Sequence, residues 1–284
     1  MDSEKIKKLG PLFVMLSGVL FSFGGLLIKS IPWNPLSINA GRNLIAALIT
    51  FVFIKLSGQK IVLNKTVFIS GLTMAFTTTG FCIANKMTTA ANAILLQFTS
   101  PVFVILFCYL FWKQRPTKRD FGMCACVFLG IICFFYESIT RGDVLGDLLA
   151  LATGVTYAVV FICNRMKGGN AASTFLVGEI MSAVIGLPFL LQETQMSPLI
   201  IGSILLFGFN LGAGYVLVSL GLRHIKPVQA NLISAVEPVL NPVWVALFYH
   251  ETMSGLAIAG FLIVLTSVIA FNMKKPVPEE AGVT

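Results

Sequence analysis

The side chains able to do chemistry in this sequence are few, and most stand inside long apolar runs. Glu237 lies near the middle of one such run, residues 228–248. A carboxylate at the centre of a membrane-spanning helix costs about 2.5–3.5 kcal/mol on insertion scales and normally faces the bundle interior or a wet cavity. Ala230, Ser234, Asn241 and Trp244 share its face at helical spacing, so that face is mostly polar. Pro238 and Pro242 remove backbone donors and free nearby carbonyls, which a bilayer tolerates only where protein or water satisfies them. Such a face suits a carboxylate that binds an amino or cationic group, or that carries a proton. A structural carboxylate locking helices together is the competing reading.

Arg42 and Glu179 are the other ionisable residues well inside apolar runs, each six residues from the start of its run. That places each about 9 Å from a helix end at ~1.5 Å per residue. Arg42 can grip a carboxylate with two parallel hydrogen bonds, or snorkel to the interface. Glu179 is shorter and favours an interior role in gating, a salt bridge or proton binding. Gln97 offers both donor and acceptor to a zwitterion, or a hydrogen bond between helices. Phe21, Tyr157, Phe81, Tyr215, Asn210 and Thr77 are candidate cavity-lining residues, against the plainer alternative of packing. His224 and His250 stand at helix ends, where a solvated side chain accounts for them as well as pH sensing does.

The elements that must position these residues follow from composition. The chain has 284 residues, 56% hydrophobic and 11% charged, with a mean hydropathy of +0.89. Soluble domains carry about 25% charged residues. A spanning helix needs about 20 apolar residues, and ten runs qualify: 9–28, 36–56, 67–85, 90–111, 121–138, 145–164, 173–191, 199–220, 228–248 and 254–273. The fold class expected is therefore an all-α integral membrane protein. With the N-terminus in the cytoplasm, sixteen of the 20 Lys and Arg fall on the cytoplasmic side and three (Lys29, Lys86, Arg141) on the other, Arg42 being inside a span. This is the positive-inside pattern, with both termini cytoplasmic.

The second half repeats the first at an offset of 136 to 137. Gly10 and Gly18 meet Gly146 and Gly154, Phe21 meets Tyr157, and Lys29 meets Arg165; Ala93 meets Ala230 and Pro101 meets Pro238. Five spans per repeat is an odd number, so the second repeat must enter the membrane inverted. The loops agree: 113–120 is rich in basic residues, while the matching 250–254 has no Lys or Arg. The expectation is ten transmembrane helices as two inverted five-helix repeats, residues 1–140 and 141–284. Inverted repeats go with alternating access about a midplane site between the halves.

These residues resemble the ten-helix drug/metabolite transporter superfamily of the EamA type. The resemblance covers essentially the whole chain. It rests on Thr89-Ala90-Ala91-Asn92-Ala93 through Ser100-Pro101, on Glu237-Pro238-Val239-Leu240-Asn241-Pro242-Val243-Trp244 through His250-Glu251, and on the basic residue closing each half's first helix. It implies a cytoplasmic-membrane protein that moves amino acids or related small metabolites, commonly outward. Gln114 stands where that family usually shows Glu.

Other classes fit less well. The formal charge of +8 is spread over short loops, with no alternation of aromatic and basic residues of the kind a nucleic-acid platform needs. No G-x-x-x-x-G-K-[ST] loop is present, and no cofactor or metal is expected; the six cysteines lie in apolar runs without ligand spacing. An intramembrane enzyme would need a nucleophile or metal set, and neither H-E-x-x-H nor G-x-S-x-G occurs. A lipid-handling or scaffolding membrane protein is a further alternative. The expected partners are a small-molecule substrate and the lipid bilayer; substrate identity, coupling ion and oligomeric state are not legible.

Overall fold

The computed structural model of the chain describes residues 3–113, 144–225, 233–234, 236–249 and 254–273, with scattered positions between 115 and 136. Among these residues all regular structure is helical: α1 (Ser3–Phe21), α2 (Gly24–Ser30), α3 (Pro35–Leu56), α4 (Lys65–Met87), α5 (Ala90–Gln97), α6 (Ser100–Trp112), α7 (Val144–Arg165), α8 (Ala171–Leu190), α9 (Pro198–Gly221), α10 (Val236–Tyr249) and α11 (Gly255–Met273). Seven stretches are long and apolar enough to cross a bilayer: Leu9–Ser30, Pro35–Leu56, Lys65–Met87, Ala90–Trp112, Val144–Arg165, Ala171–Leu190 and Pro198–Gly221. Of the expected fifth span (121–138) only scattered positions are among the described residues, and much of 228–235 lies outside them.

The partition of side chains is that of a protein dissolved in lipid. Leu48, Phe76, Val184 and Leu199 are exposed, while Arg42, Asp147, Glu179, Asn39 and Asn43 are buried. In water, large exposed apolar patches and buried polar groups are the exceptions. Here α3, α4, α8 and α9 each turn an apolar side outward and a polar or small-residue side inward. Asn side chains cap α3, α4 and α8: Asn34 accepts from the Leu36 N–H, Asn64 from that of Val67, and Asn170 from that of Ser173. These caps satisfy orphan donors at helix starts.

Two of the expected continuous spans are broken in the middle. Between α5 and α6, Pro101 lacks the N–H that would have bonded the Gln97 carbonyl, and the chain turns through Phe98 and Thr99. Between α1 and α2 no proline is near. Instead Ser22 Oγ bonds the Val19 carbonyl at 2.6 Å, and the Phe23 N–H shifts to the Leu20 carbonyl at 3.3 Å. Gly24 and Gly25 follow, and a serine–glycine sequence is a recognised site for a helix break. The helix α10 also starts in mid-span, with a turn at Ser234 and Pro238 in its first turn.

Packing across the bundle comes in matched pairs. The helix α1 packs on α9 and α7 on α4; α3 packs on α9 and α8 on α4; α3 and α8 pack on each other. Glycines mark the close approaches. A Cβ on Gly146 would stand 2.9 Å from Met87 Cβ and 3.0 Å from the Thr88 N; one on Gly10 would stand 3.0 Å from His224 Cβ and 3.2 Å from Ile225 Cγ2. A Cβ on Gly154 would meet the Gln97 carbonyl at 2.9 Å and Thr99 Oγ1 at 3.0 Å, at the α5–α6 break, and one on Gly18 would meet the Ser234 carbonyl at 3.5 Å and Val236 Cγ1 at 2.7 Å, at the start of α10. Each pair obeys the same 136 to 137 offset on both partners.

Both ends of the α3–α8 pair are tied by loops. At one end Trp33 Nε1 donates to the Gln195 carbonyl at 2.8 Å, and the Asn34 N–H donates to Glu193 Oε1 at 2.9 Å. At the other, Asn64 Nδ2 donates to the Gly168 carbonyl at 2.9 Å, and the Val62 N–H donates to Ser173 Oγ at 2.9 Å. Gly168 sits at φ +83°, a left-handed backbone that favours glycine.

Candidate functional site

The helix breaks open onto one cavity. It is lined by Leu20 and Phe21 of α1, Gly24 of α2, Arg42 of α3, Met74, Thr77, Thr78 and Phe81 of α4, and Gln97 of α5. Tyr157 of α7, Phe207, Asn210, Leu211 and Tyr215 of α9, and Glu237 of α10 complete it. Phe21, Gly24, Gln97 and Glu237 all stand at or beside the breaks. A break lets backbone and side chains converge where a continuous helix would present only one face, and irregular backbone in a membrane is found where it borders a cavity. The accessible space is about 50 Å³. Sites for small molecules commonly span ~300–1,000 Å³, so in this arrangement the cavity has room for a few waters and not for a metabolite.

Arg42 dominates the electrostatics. Its side chain is 2% exposed. Nε and Nη2 donate to Asn39 Oδ1 at 3.3 and 3.1 Å, and Nη2 also donates to the Thr78 carbonyl at 3.0 Å. The guanidinium carbon lies 4.7 Å from the centre of the Phe207 ring, a cation–π contact. Asn39 is held in turn by Thr79, whose Oγ1 accepts from Asn39 Nδ2 at 2.9 Å. Among the described residues every acceptor of Arg42 is neutral, and Nη1 makes no hydrogen bond. A buried cation without an anionic partner is strongly disfavoured unless something supplies that charge.

Opposite charge enters from α10. Glu237 lies in its first turn and borders the same cavity. Its backbone N–H donates to the Ser234 carbonyl at 2.9 Å, and among the described residues its carboxylate accepts no hydrogen bond. Neutral polar groups also border the cavity, Gln97 and Thr77 backed by threonines of α7. Thr153 Oγ1 donates to Gln97 Oε1 at 3.2 Å, and the Thr77 and Thr156 hydroxyls pair at 2.7 Å. The remaining wall is aromatic. Tyr215 is gripped between Phe21 (ring centres 5.0 Å apart, tilted) and Phe175 (4.6 Å, stacked), and Tyr157 meets Phe161 edge-on at 4.9 Å. Gly214 lies against the Phe21 ring, so the glycine places that ring. The chemistry this arrangement allows is recognition of a molecule carrying both an anionic and a cationic group, with an apolar part between aromatic faces.

Of the residues singled out from sequence, Glu237, Gln97, Arg42, Tyr157, Phe21, Phe81, Tyr215 and Asn210 line this cavity. Four do not. Trp244 stacks on Phe23 at 5.0 Å and donates Nε1 to Ser22 Oγ at 3.0 Å, tying α10 to the α1–α2 break. Asn241 is fully buried against Gly25 and Ala90, with neither amide atom hydrogen-bonded among the described residues. Ser234 is buried at the turn before α10, packed against Gly18. Glu179 lies in the α3–α8 seam, where Thr50 Oγ1 donates to its Oε1 at 3.0 Å. His224 is at the end of α9 beside Gly10, and His250 falls outside the described residues.

Sequence reading passes over three contributors. Asp147 is fully buried in the first turn of α7 and accepts from Thr88 Oγ1 at 2.6 Å and from Asn92 Nδ2 at 3.3 Å, joining α7 to the α4–α5 turn. Its place inside an apolar run was the available signal. Thr78 and Phe207 hold Arg42 through a backbone carbonyl and a ring face, and neither role leaves a mark in residue type. Among the described residues no group of His, Cys, Asp and Glu is arranged to hold a metal.

Comparison with known proteins places these features in context. The model of the EamA-like transporter family matches residues 8–136 and again 144–273. An uncharacterized transporter of Archaeoglobus fulgidus is 23% identical over 92% of this chain and 95% of its own. The pseudopaline exporter CntI of Pseudomonas aeruginosa is 24% identical over 94% and 97%. The threonine/homoserine exporter RhtA of Salmonella typhimurium is 25% identical over 64% of this chain and 60% of its own length. A solved crystal structure covers 94% of this chain and 96% of its own with a TM-score of 0.68 at 17% identity, a likeness of fold.

Proposed function

The chain belongs to the EamA-like transporter family, and on that premise we propose that it exports small zwitterionic metabolites such as amino acids by alternating access about the cavity between Arg42 and Glu237. One observation carries the substrate class: a buried guanidinium with only neutral described acceptors shares a cavity with a carboxylate from a broken helix. A substrate carboxylate on Arg42 and an ammonium on Glu237 would complete both charges. The threonine/homoserine and pseudopaline exporters among its relatives are consistent with outward movement of amino-acid-like molecules.

The mechanism follows from the repeat. Two matches to one family model, each about half of the chain, support a division into residues 1–140 and 141–284. The paired close approaches at Gly10 and Gly146, and at Gly18 and Gly154, support two inverted five-helix repeats and ten spans in all. Both loop ties are made at once around a cavity of about 50 Å³, which fits an occluded state. Opening the Trp33–Gln195 end would admit the outside, and opening the Asn64–Gly168 end would admit the cytoplasm. This assignment takes both termini as cytoplasmic and the cell membrane as the location, as the basic loops favour.

Counterflow into proteoliposomes loaded with unlabelled amino acids tests the reading. Labelled threonine, homoserine and a panel of neutral amino acids are expected to accumulate above protein-free vesicles, and simple amines and simple carboxylates are expected not to. Accumulation of neither zwitterions nor any panel member would refute the proposed substrate class.

A further inference from the structure

The α3–α8 seam holds a carboxyl group that the cavity does not use. Glu179 is 1% exposed. Its Oε1 accepts from Thr50 Oγ1 at 3.0 Å, and its Oε2 is fully enclosed with no partner among the described residues. Thr50 itself is 1% exposed. The two residues are aligned along the seam, each about two turns from the loop tie formed by Asn64 and Gly168.

The charges on every element packed against α8 are engaged elsewhere or remote. On α3, Arg42 is held by Asn39, Thr78 and Phe207, and Lys55 is in the last turn. On α4, Lys65 is the first residue and Lys86 belongs to the last turn, its Nζ bonded to the Ile31 carbonyl; Cys82 is a buried thiol. On α9, Tyr215 is stacked between Phe21 and Phe175. On α7, Asp147 and Arg165 are in the terminal turns, Tyr157 faces the cavity, and Cys163 is a buried thiol near the end. None of these groups bonds Glu179 among the described residues.

An ionised carboxylate enclosed with one oxygen unpaired is far more costly than a neutral hydroxyl in the same place. Ionisable residues inside membrane bundles are the usual carriers of protons through pumps and transporters. The geometry points to Glu179 as a proton-binding site distinct from the substrate cavity, filled when the α3–α8 seam is closed and emptied when the Asn64–Gly168 end parts and water reaches the carboxyl group. The step is a simple transfer: the Glu179 O–H proton passes to water and the carboxylate remains. By linkage, whatever closes the seam favours the proton and the proton favours closure. This deepens the transport reading by giving it a coupling ion, and it requires that opening and closing occur.

The test needs no substrate, so it fails separately from the substrate assignment. Infrared spectroscopy of the purified full chain in lipid nanodiscs, in ordinary and heavy water, reads the carbonyl stretch of protonated carboxyl groups. Glu179→Gln is expected to remove one deuterium-sensitive band, and Glu237→Gln to leave that band in place. Thr50→Val is expected to shift the same band, because the hydrogen bond to Oε1 is lost; this keeps the test open should Glu179→Gln fold poorly. A folded Glu179→Gln protein with every carboxyl band intact, or a Thr50→Val protein with no shift, overturns the proposal.

Discussion

Arg42→Gln is expected to reduce transport of a carboxylate-bearing substrate by at least ~30-fold while leaving the protein folded. Removing one partner of a buried, hydrogen-bonded charge pair costs about 2–5 kcal/mol, and ~1.4 kcal/mol is a factor of ten. Glutamine keeps a donor near Asn39 and the Thr78 carbonyl, the two acceptors that hold the native side chain, so the α3–α4 contact survives in part. Among the described lining residues, what it removes is the one cation able to meet an anion. Initial rates of counterflow give the size of the loss, and size-exclusion chromatography and thermal unfolding separate it from misfolding. A rate within twofold of wild type would mean that Arg42 is a structural residue of the α3–α4 seam.

Locking either end of the bundle is expected to stop transport almost completely. The two ends are held by different loops, 31–34 with 192–197 and 57–64 with 166–173. In a variant with the 6 native cysteines replaced, cysteines at Asn34 and Glu193, or at Thr66 and Lys167, bring reactive thiols to positions already joined by hydrogen bonds at 2.9 and 3.2 Å. A short bifunctional reagent across either pair should abolish flux, and a reducible reagent should restore it on cleavage. Alternating access demands both results, since each end must open once per cycle. Full flux with either bridge formed contradicts it.

The parts of this arrangement that were legible in the sequence are those set by solvent and by repetition. Apolar runs of the right length mark the spans because lipid leaves the backbone no alternative to the helix. The 136 to 137 offset brought Phe21 and Tyr157 together as candidates, and both line the cavity. Pro238 announced one of the interruptions, because a missing N–H is a fact of residue type, whereas 90–111 read as one continuous run although Pro101 interrupts it. The α1–α2 break was marked in residue type only by Ser22, Gly24 and Gly25, and the contact Trp244 makes to Ser22 from 222 residues away has no local signature. The same limit applies to Trp244 and Asn241, which share the Glu237 face by helical spacing but lie about two turns and one turn further along α10, where that face meets α1, α2 and α5. Helical periodicity says which residues share a side, and packing decides what that side meets. Glu179 and Arg42 occupy matching sequence positions, yet Arg42 borders the cavity and Glu179 is enclosed in a seam.

The most direct test of the cavity assignment is a competition matrix. Counterflow of the best-transported amino acid is competed by its decarboxylated amine and by its deaminated acid, in wild type, Arg42→Gln and Glu237→Gln. Wild type is expected to reject both analogues. Arg42→Gln should lose its preference for the amino acid over the amine, and Glu237→Gln its preference over the acid, each variant failing on the group its residue is placed to meet. If both variants retain the wild-type pattern of rejection, the substrate does not lie between Arg42 and Glu237.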